Sequence, residues 1–151
     1  MNLISVLGLG MALLGDAAPA GAAYTRGLQK LEEQKYDEAV ADLEEALRNE
    51  PLESPALRYR NEAGRHRHAY YPLYALGLAR VHQANRETLP YVKRERLQAA
   101  LALFGKTAHA EGARRLPELQ KILEDLEKAI AEAEANAVPP ELAQIKAKVD
   151  R

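Results

Sequence analysis

The 151-residue chain is predicted to fold as an all-α protein. Ala, Leu, Glu, Arg and Lys dominate its composition, and these residues have high helix propensity. No stretch alternates Val, Ile or Thr with polar residues, the pattern that would indicate a half-buried strand. Apolar residues instead recur every three or four positions along most of the chain. At this length we expect one domain with five or six packed helices.

Composition and charge narrow the possible functions. The chain has no Cys, which excludes disulfides, thiolate metal sites and thiol nucleophiles. A formal net charge of -1 argues against a general binder of polyanions. The charges are nevertheless segregated, because segments 58–68 and 80–115 are basic whereas segments 29–50 and 117–135 are acidic. Two interpretations stay open: helix faces whose charges complement one another, or a basic surface that receives an acidic partner.

Residues 1–22 are predicted to form a secretory signal peptide. Leu3 to Leu14 is an uncharged apolar segment that is shorter than the roughly 20 residues needed to span a bilayer, and its length suits a signal peptide. Small residues that a signal peptidase could recognise follow at 18–22. Because no Lys or Arg follows Met1, an uncleaved inner-membrane anchor and a first core helix of a cytosolic domain remain alternatives. We therefore expect a periplasmic or secreted protein.

Two amphipathic helices joined by a short turn are predicted at residues 22–34 and 36–49. Each has one apolar face at helical spacing. On the first helix this face consists of Tyr24, Leu28 and Leu31. On the second helix it consists of Ala39, Val40, Leu43, Ala46 and Leu47. Pro51 ends the second helix because proline lacks an amide hydrogen and clashes with the preceding turn.

This helical hairpin resembles the tetratricopeptide repeat (TPR), a unit of two antiparallel helices. The small, large and helix-ending residues that match the family are Gly27, Ala39, Leu43, Ala46 and Pro51. The segment 35–39 also matches the family's turn and the start of its second helix. The resemblance implies TPR-like hairpins that stack into a short right-handed α-solenoid, since one unit cannot bury its apolar faces alone. It covers repeat one, residues 23–51, well and a second repeat loosely.

The second repeat is predicted at residues 70–112, after an insertion at 52–69. The segment 70–74 resembles the entry segment of exported bacterial repeat proteins. The first helix of this repeat is expected from Pro72 and should be the most buried helix, because it is apolar on nearly all sides. A break at Leu89-Pro90 delays its second helix, so the repeat is irregular. By resemblance, Gly77, Ala100 and Phe104 take the places of Gly27, Ala39 and Leu43.

The chain is expected to end with a capping helix and a tail. Apolar residues follow the helical period closely through residues 116–136. A terminal helix of this kind would cover the open end of the stack with a polar outer face. Residues 137–151 are assigned to a C-terminal tail, because Pro139 and Pro140 break the helix and the residues after them carry little apolar surface.

A search for catalytic motifs finds little. The chain has no phosphate-binding glycine loop, and neither Ser5 nor Ser54 lies in a glycine-flanked nucleophile turn. Paired carboxylates such as Glu32-Glu33 lie on polar helix faces, where solvated charges are the simpler interpretation. We therefore predict a protein that is not an enzyme and has no cofactor.

Metal binding has one weak candidate pair, His66 and His68. A His-x-His pair can present two imidazoles from one side of an extended strand. A metal site needs further ligands, however, and the neighbouring Arg65 and Arg67 would repel a dication. No metal site is predicted.

The segment 58–74 interleaves Arg with Tyr, two residue types that carry binding energy at interfaces. The TPR resemblance further implies that a groove lined by the first helix of each pair binds a peptide or protein segment. Tyrosine and aliphatic residues there would favour an apolar or aromatic segment, unless an adjoining helix of the same chain fills the groove. The expected partner-binding residues are Tyr24, Leu28, Leu31, Arg58, Arg60, Tyr70, Tyr71, Tyr74, Leu78 and Val81.

The predicted function is a non-catalytic protein–protein interaction module or scaffold. Two alternatives are a structural subunit of a larger extracytoplasmic assembly, which includes self-association, and the N-terminal adaptor domain of a longer enzyme. Arg and Tyr together would also suit single-stranded nucleic acid. The predicted export and the nearly neutral net charge argue against that partner, and membrane contact is expected only through an uncleaved leader.

Overall fold

The computed structural model describes residues 17–137 and 148–149. Within these residues the chain forms five α-helices, one β-hairpin and a short 3₁₀ turn at Ala113–Arg115. The helices are α1 (Ala18–Glu32), α2 (Tyr36–Asn49), α3 (Pro72–Asn85), α4 (Pro90–Thr107) and α5 (Leu119–Ala137). The strands are β1 (Ser54–Asn61) and β2 (Gly64–Tyr70), which lie between α2 and α3. The prediction of a mainly helical protein is confirmed.

Consecutive helices pack on one another in chain order, from α1 on α2 to α4 on α5. Two clusters of buried side chains result. The first joins α1, α2, the start of α3 and the β-hairpin, with Leu43 and Tyr70 fully buried. The second lies among α3, α4 and α5 and is centred on Phe104. Each helix is therefore held by the neighbours that precede and follow it.

The two helix pairs share one close contact. In the α1–α2 pair, a methyl group added at Gly27 would come within 2.7 Å of the Leu43 side chain. In the α3–α4 pair, a methyl group at Gly77 would come within 2.7 Å of the Phe104 ring. The residues that correspond in the sequence thus make corresponding contacts, in which a glycine lets a large buried side chain approach the opposite helix.

The insertion at 52–69 is largely a β-hairpin, so the all-α prediction is wrong for this segment. The strands pair antiparallel with Asn61 opposite Gly64. Asn61 Oδ1 accepts the Ala63 N–H at 2.9 Å, and Gly64 adopts a φ of 115°, which a residue with a Cβ rarely does. Exposed and covered residues alternate along β2 and, in β1, from Leu57 to Arg60. The exposed residues are mostly Arg, and the covered residues are mostly Tyr, His and Leu. Because the covered positions are not Val, Ile or Thr, the sequence pattern used to identify strands does not detect them.

The first helix begins earlier than predicted. α1 starts at Ala18 instead of residue 22 and includes the last residues of the predicted leader. Ala20 is fully buried, and Gly21 lies directly against the Tyr59 ring. The rest of the predicted leader lies outside the described residues. No helix within residues 17–137 is long and apolar enough to cross a bilayer.

The capping helix begins three residues later than predicted, at Leu119 instead of residue 116. The 3₁₀ turn and Glu118, whose φ is 58°, come between α4 and α5 and delay the helix start. Of the predicted tail, Ala137 ends α5 and residues 148–149 are helical, while the remainder lies outside the described residues.

Candidate binding site

Four arginines share the outer face of the β-hairpin. Arg58 lies opposite Arg67, and Arg60 lies opposite Arg65. Residues directly opposite each other in an antiparallel pair point to the same side of the sheet. All four side chains are exposed. We call this set of four side chains the arginine face.

The hydrogen-bond pattern brings these arginines close together. Asn61 and Gly64 flank a two-residue turn and form the hydrogen-bonded pair that closes the hairpin. Because hydrogen-bonded and non-hydrogen-bonded pairs alternate, Arg60–Arg65 and Arg58–Arg67 are both non-hydrogen-bonded pairs. Side chains are closest in pairs of this kind, and like charges directly opposite each other destabilise strand pairing. The outer face of the hairpin therefore concentrates positive charge at a cost to its own stability.

No acidic side chain within residues 17–137 forms an ion pair with the arginine face. The ion pairs of this region involve other cations, such as Arg26 with Glu45 at 2.8 Å and Arg80 with Glu44 at 2.8 Å. The four arginine side chains also make no hydrogen bond to any residue in 17–137. Complementary charges on neighbouring helices thus explain the positions of Arg26 and Arg80, but they do not explain the four arginines of the hairpin.

A shallow, wide-open depression of about 520 Å³ lies at the arginine face. Residues Tyr59 and His66 border it together with the four arginines. A depression of this size admits several side chains of a partner, and guanidinium groups can each bind a carboxylate through two parallel hydrogen bonds.

The opposite face of the hairpin is packed on α1. The Tyr24 ring of α1 stacks on His68, with 6.0 Å between the ring centroids, and meets Tyr70 edge-on at 5.2 Å. His68 Nε2 lies 3.1 Å from the Tyr59 hydroxyl, and His68 Nδ1 donates to the Ala69 carbonyl at 2.9 Å. These contacts fix which face of the hairpin is turned outward.

Tyr70 joins the end of β2 to the end of α2. Its side chain is fully buried, and its hydroxyl lies 2.8 Å from the Ala46 carbonyl oxygen and 2.7 Å from the Glu50 carbonyl oxygen. Both carbonyls lie at the C-terminal end of α2, and the Ala46 oxygen also accepts the Glu50 N–H at 2.8 Å. Burial raises the pKa of Tyr70 far above its usual value, so the hydroxyl keeps its proton and donates. The hairpin is therefore attached to the helices at its base.

Glu53, just before β1, holds the start of α3. Its Oε2 atom accepts the backbone N–H groups of Leu73 at 3.0 Å and Tyr74 at 3.2 Å. These are first-turn amides that have no partner within the helix. Burial raises the pKa of Glu53, and the Thr107 hydroxyl and these two amides act in the opposite direction. Sequence reasoning missed this residue, because its partners are about twenty positions away.

The weak metal candidates His66 and His68 are engaged in packing. His66 stacks on Tyr59 with 5.0 Å between ring centroids, and its Nε2 lies 2.6 Å from Asn61 Oδ1. Residues 17–137 and 148–149 contain no group of three or more His, Asp or Glu side chains that could hold a metal ion.

The tyrosine groove expected from the sequence is not an open surface. Tyr24, Tyr70 and Tyr71 are buried, because the hairpin and the α4–α5 connection cover them. The Tyr71 hydroxyl donates to the Glu111 carbonyl at 2.7 Å, and the Tyr74 hydroxyl donates to the Pro117 carbonyl at 2.8 Å. The rings that were expected to bind a partner instead hold the chain together.

Most of the aliphatic residues expected in the groove also pack inside the protein. Leu78 and Val81 pack in the second cluster, and Leu31 packs against the first. Leu28 is 37% exposed. Among the expected partner-binding residues, the structure brings only Arg58 and Arg60 together on an open surface.

Arg65 and Arg67 complete this surface, although the sequence argument did not include them as binding residues. An Arg-x-Arg pattern on each side of Asn61-Glu-Ala-Gly64 was the available signal, because a hairpin turn there puts both patterns on one face. Comparison with known proteins finds no matching family model, curated protein or solved structure.

Proposed function

We propose that the protein is a non-catalytic interaction module that binds an acidic segment of a partner protein on the arginine face. One observation carries this proposal: four arginines stand in two opposed pairs, and none of them forms an ion pair with an acidic side chain of residues 17–137. A hairpin selected only for stability would avoid like charges in opposed positions. Carboxylates of a partner would remove this repulsion and form charge-assisted hydrogen bonds.

The binding should depend strongly on salt. Exposed charges attract one another over a screening length that falls from about 10 Å at 0.1 M salt to about 3 Å at 1 M. Complementary charge at an exposed site mainly raises the association rate and selects the partner. The module would thus capture acidic segments quickly and release them readily.

We further propose that the helices form a TPR-like scaffold with an irregular second repeat and α5 as its cap. The matching contacts of Gly27 with Leu43 and of Gly77 with Phe104 support this assignment, as does the packing of the helices in chain order. The hairpin between α2 and α3 is the main departure from the family pattern. On this proposal the scaffold orients the hairpin and does not itself bind the partner. The apolar leader supports an extracytoplasmic location.

A labelled glutamate-rich peptide titrated by fluorescence anisotropy tests the proposal. The double variant Arg58→Gln, Arg67→Gln should weaken binding at least tenfold. The matched control Arg48→Gln, Arg114→Gln removes the same charge from exposed arginines elsewhere and should change the affinity less than twofold. Equal losses in both variants would mean that net charge alone attracts the peptide, and the proposed site would be wrong.

Two further measurements separate the alternatives. A single-stranded oligonucleotide that binds more tightly than the peptide would identify nucleic acid as the partner and overturn the proposal. Light scattering that detects a dimer, lost in the Arg58→Gln, Arg67→Gln variant, would identify the acidic surface of a second copy as the occupant instead.

A further inference from the structure

We infer that the acidic segment binds as a third β-strand along the free edge of β2, with its carboxylates at every second position. This inference rests on the proposed function and specifies how the partner is recognised. In this mode, backbone hydrogen bonds provide affinity and alternate side chains provide specificity.

The backbone of β2 offers unpaired groups beside the arginine face. In a non-hydrogen-bonded pair, the N–H and C=O groups of each residue point away from the opposite strand. Arg65 and Arg67 are such residues, so their backbone groups point outward from the sheet. They make no backbone hydrogen bond to any other part of residues 17–137. The edge therefore presents two donors and two acceptors to an added strand.

The edge of β1 is less suitable for strand addition. Pro55 has no N–H, and the N–H of Ala56 is already bonded to Ser54 Oγ at 3.2 Å. The strand register is also irregular between Ser54 and Leu57, and α1 packs on this strand. β2 pairs regularly from Gly64 to His68.

The spacing of the arginines specifies the side chains of the added strand. Residues two apart in a strand lie about 6.6–6.8 Å apart on one face, and neighbouring strands are about 4.8 Å apart. Alternate carboxylates on a third strand would therefore match the repeat of Arg65 and Arg67. Arg58 and Arg60 lie one strand further away and would extend over the same row. An acidic helix or an anionic vesicle carries negative charge but offers no free backbone groups to this edge.

Four peptides of equal charge provide the test. An alternating Glu-Thr octapeptide should bind at least tenfold more tightly than a block peptide with four Glu followed by four Thr. Backbone N-methylation of the alternating peptide at every Glu, or at every Thr, removes the donors on one edge of its strand. One of these two methylated peptides should lose at least tenfold in affinity and the other should not. Loss with methylated Glu corresponds to antiparallel addition, and loss with methylated Thr corresponds to parallel addition.

Hydrogen exchange reports on the protein side. Saturating alternating peptide should slow exchange of the Arg65 and Arg67 amides at least tenfold, whereas the Arg58 and Arg60 amides at the other edge should change little. Strand addition is wrong if all peptides bind equally and the Arg65 and Arg67 amides remain unprotected. The proposed function still stands in that case, provided that Arg58→Gln, Arg67→Gln abolishes binding. If no acidic peptide binds, the proposed function fails and this inference fails with it.

Discussion

Replacing Tyr70 with Phe tests how the hairpin is attached to the helices. The ring volume is nearly conserved, so the packing against Tyr24 should persist, and the main loss is the hydroxyl that contacts the Ala46 and Glu50 carbonyl oxygens. The Ala46 oxygen keeps a second donor, the Glu50 N–H at 2.8 Å. The Glu50 oxygen is left without its hydroxyl donor.

An acceptor left unpaired in a buried position costs about 1–3 kcal/mol. Because the Glu50 oxygen lies at a helix end that water can partly reach, we expect the lower part of this range, about 1–2 kcal/mol. For a protein of this size, each kcal/mol lowers Tm by roughly 2–4 °C. Tyr70→Phe should therefore lower Tm by about 2–8 °C.

Urea denaturation followed by far-UV circular dichroism measures this change. The midpoint should fall while the slope of free energy against urea stays constant, since the surface exposed on unfolding does not change. Tyr91→Phe is the matched control, because Tyr91 is 54% exposed and its replacement should alter the free energy of unfolding by no more than about 0.5 kcal/mol. Equal small effects of the two replacements would refute the anchoring role of Tyr70.

Two other replacements probe the base of the hairpin and the helix pairs. Burial raises the pKa of Glu53, so the stability that its protonated form contributes is present below the ordinary pKa and is lost as pH rises through the raised value. Gln cannot ionise, so the Tm of Glu53→Gln minus the Tm of the native protein should increase from pH 4 to pH 8. Profiles of Tm against pH that run parallel for the two proteins would contradict this. Gly77→Ala should cost about 1–3 kcal/mol because the new methyl group meets the Phe104 ring. Gly105→Ala, which meets no atom within 4 Å, should instead stabilise α4 by about 0.5–1 kcal/mol. If calorimetry finds that Gly77→Ala stabilises the protein as Gly105→Ala does, the Gly77 contact is not tight.

Much of the helical part could be predicted because local signals specify it. α2 has the predicted bounds, Tyr36 to Asn49, since a turn precedes it and Pro51 follows it. The predicted start of α1, residue 22, is four residues after the observed start at Ala18. Pro19 lies in its first turn, which is a common helix-start signal, but the small residues around it also resemble a cleavage site.

The rest depends on contacts between distant residues. The tyrosines at 70 and 71 look like binding residues in the sequence, and only the tertiary structure shows their hydroxyls bonded to carbonyls from α2 and from the α4–α5 connection. The arginine face could be predicted only in part from the sequence. All four arginines belong to the basic segment 58–68 that the sequence identifies, but only the strand register set by the Asn61–Gly64 turn shows that they share one face.

A charge exchange between protein and peptide tests the central claim most directly. The test uses a variant in which Glu replaces all four arginines: Arg58, Arg60, Arg65 and Arg67. This variant should no longer bind the acidic alternating peptide and should bind the same peptide with Lys in place of Glu. Its far-UV circular dichroism spectrum should remain that of the native protein. The native protein should show the reverse preference. If the folded variant keeps the native affinity for the acidic peptide, the arginine face is not the binding site.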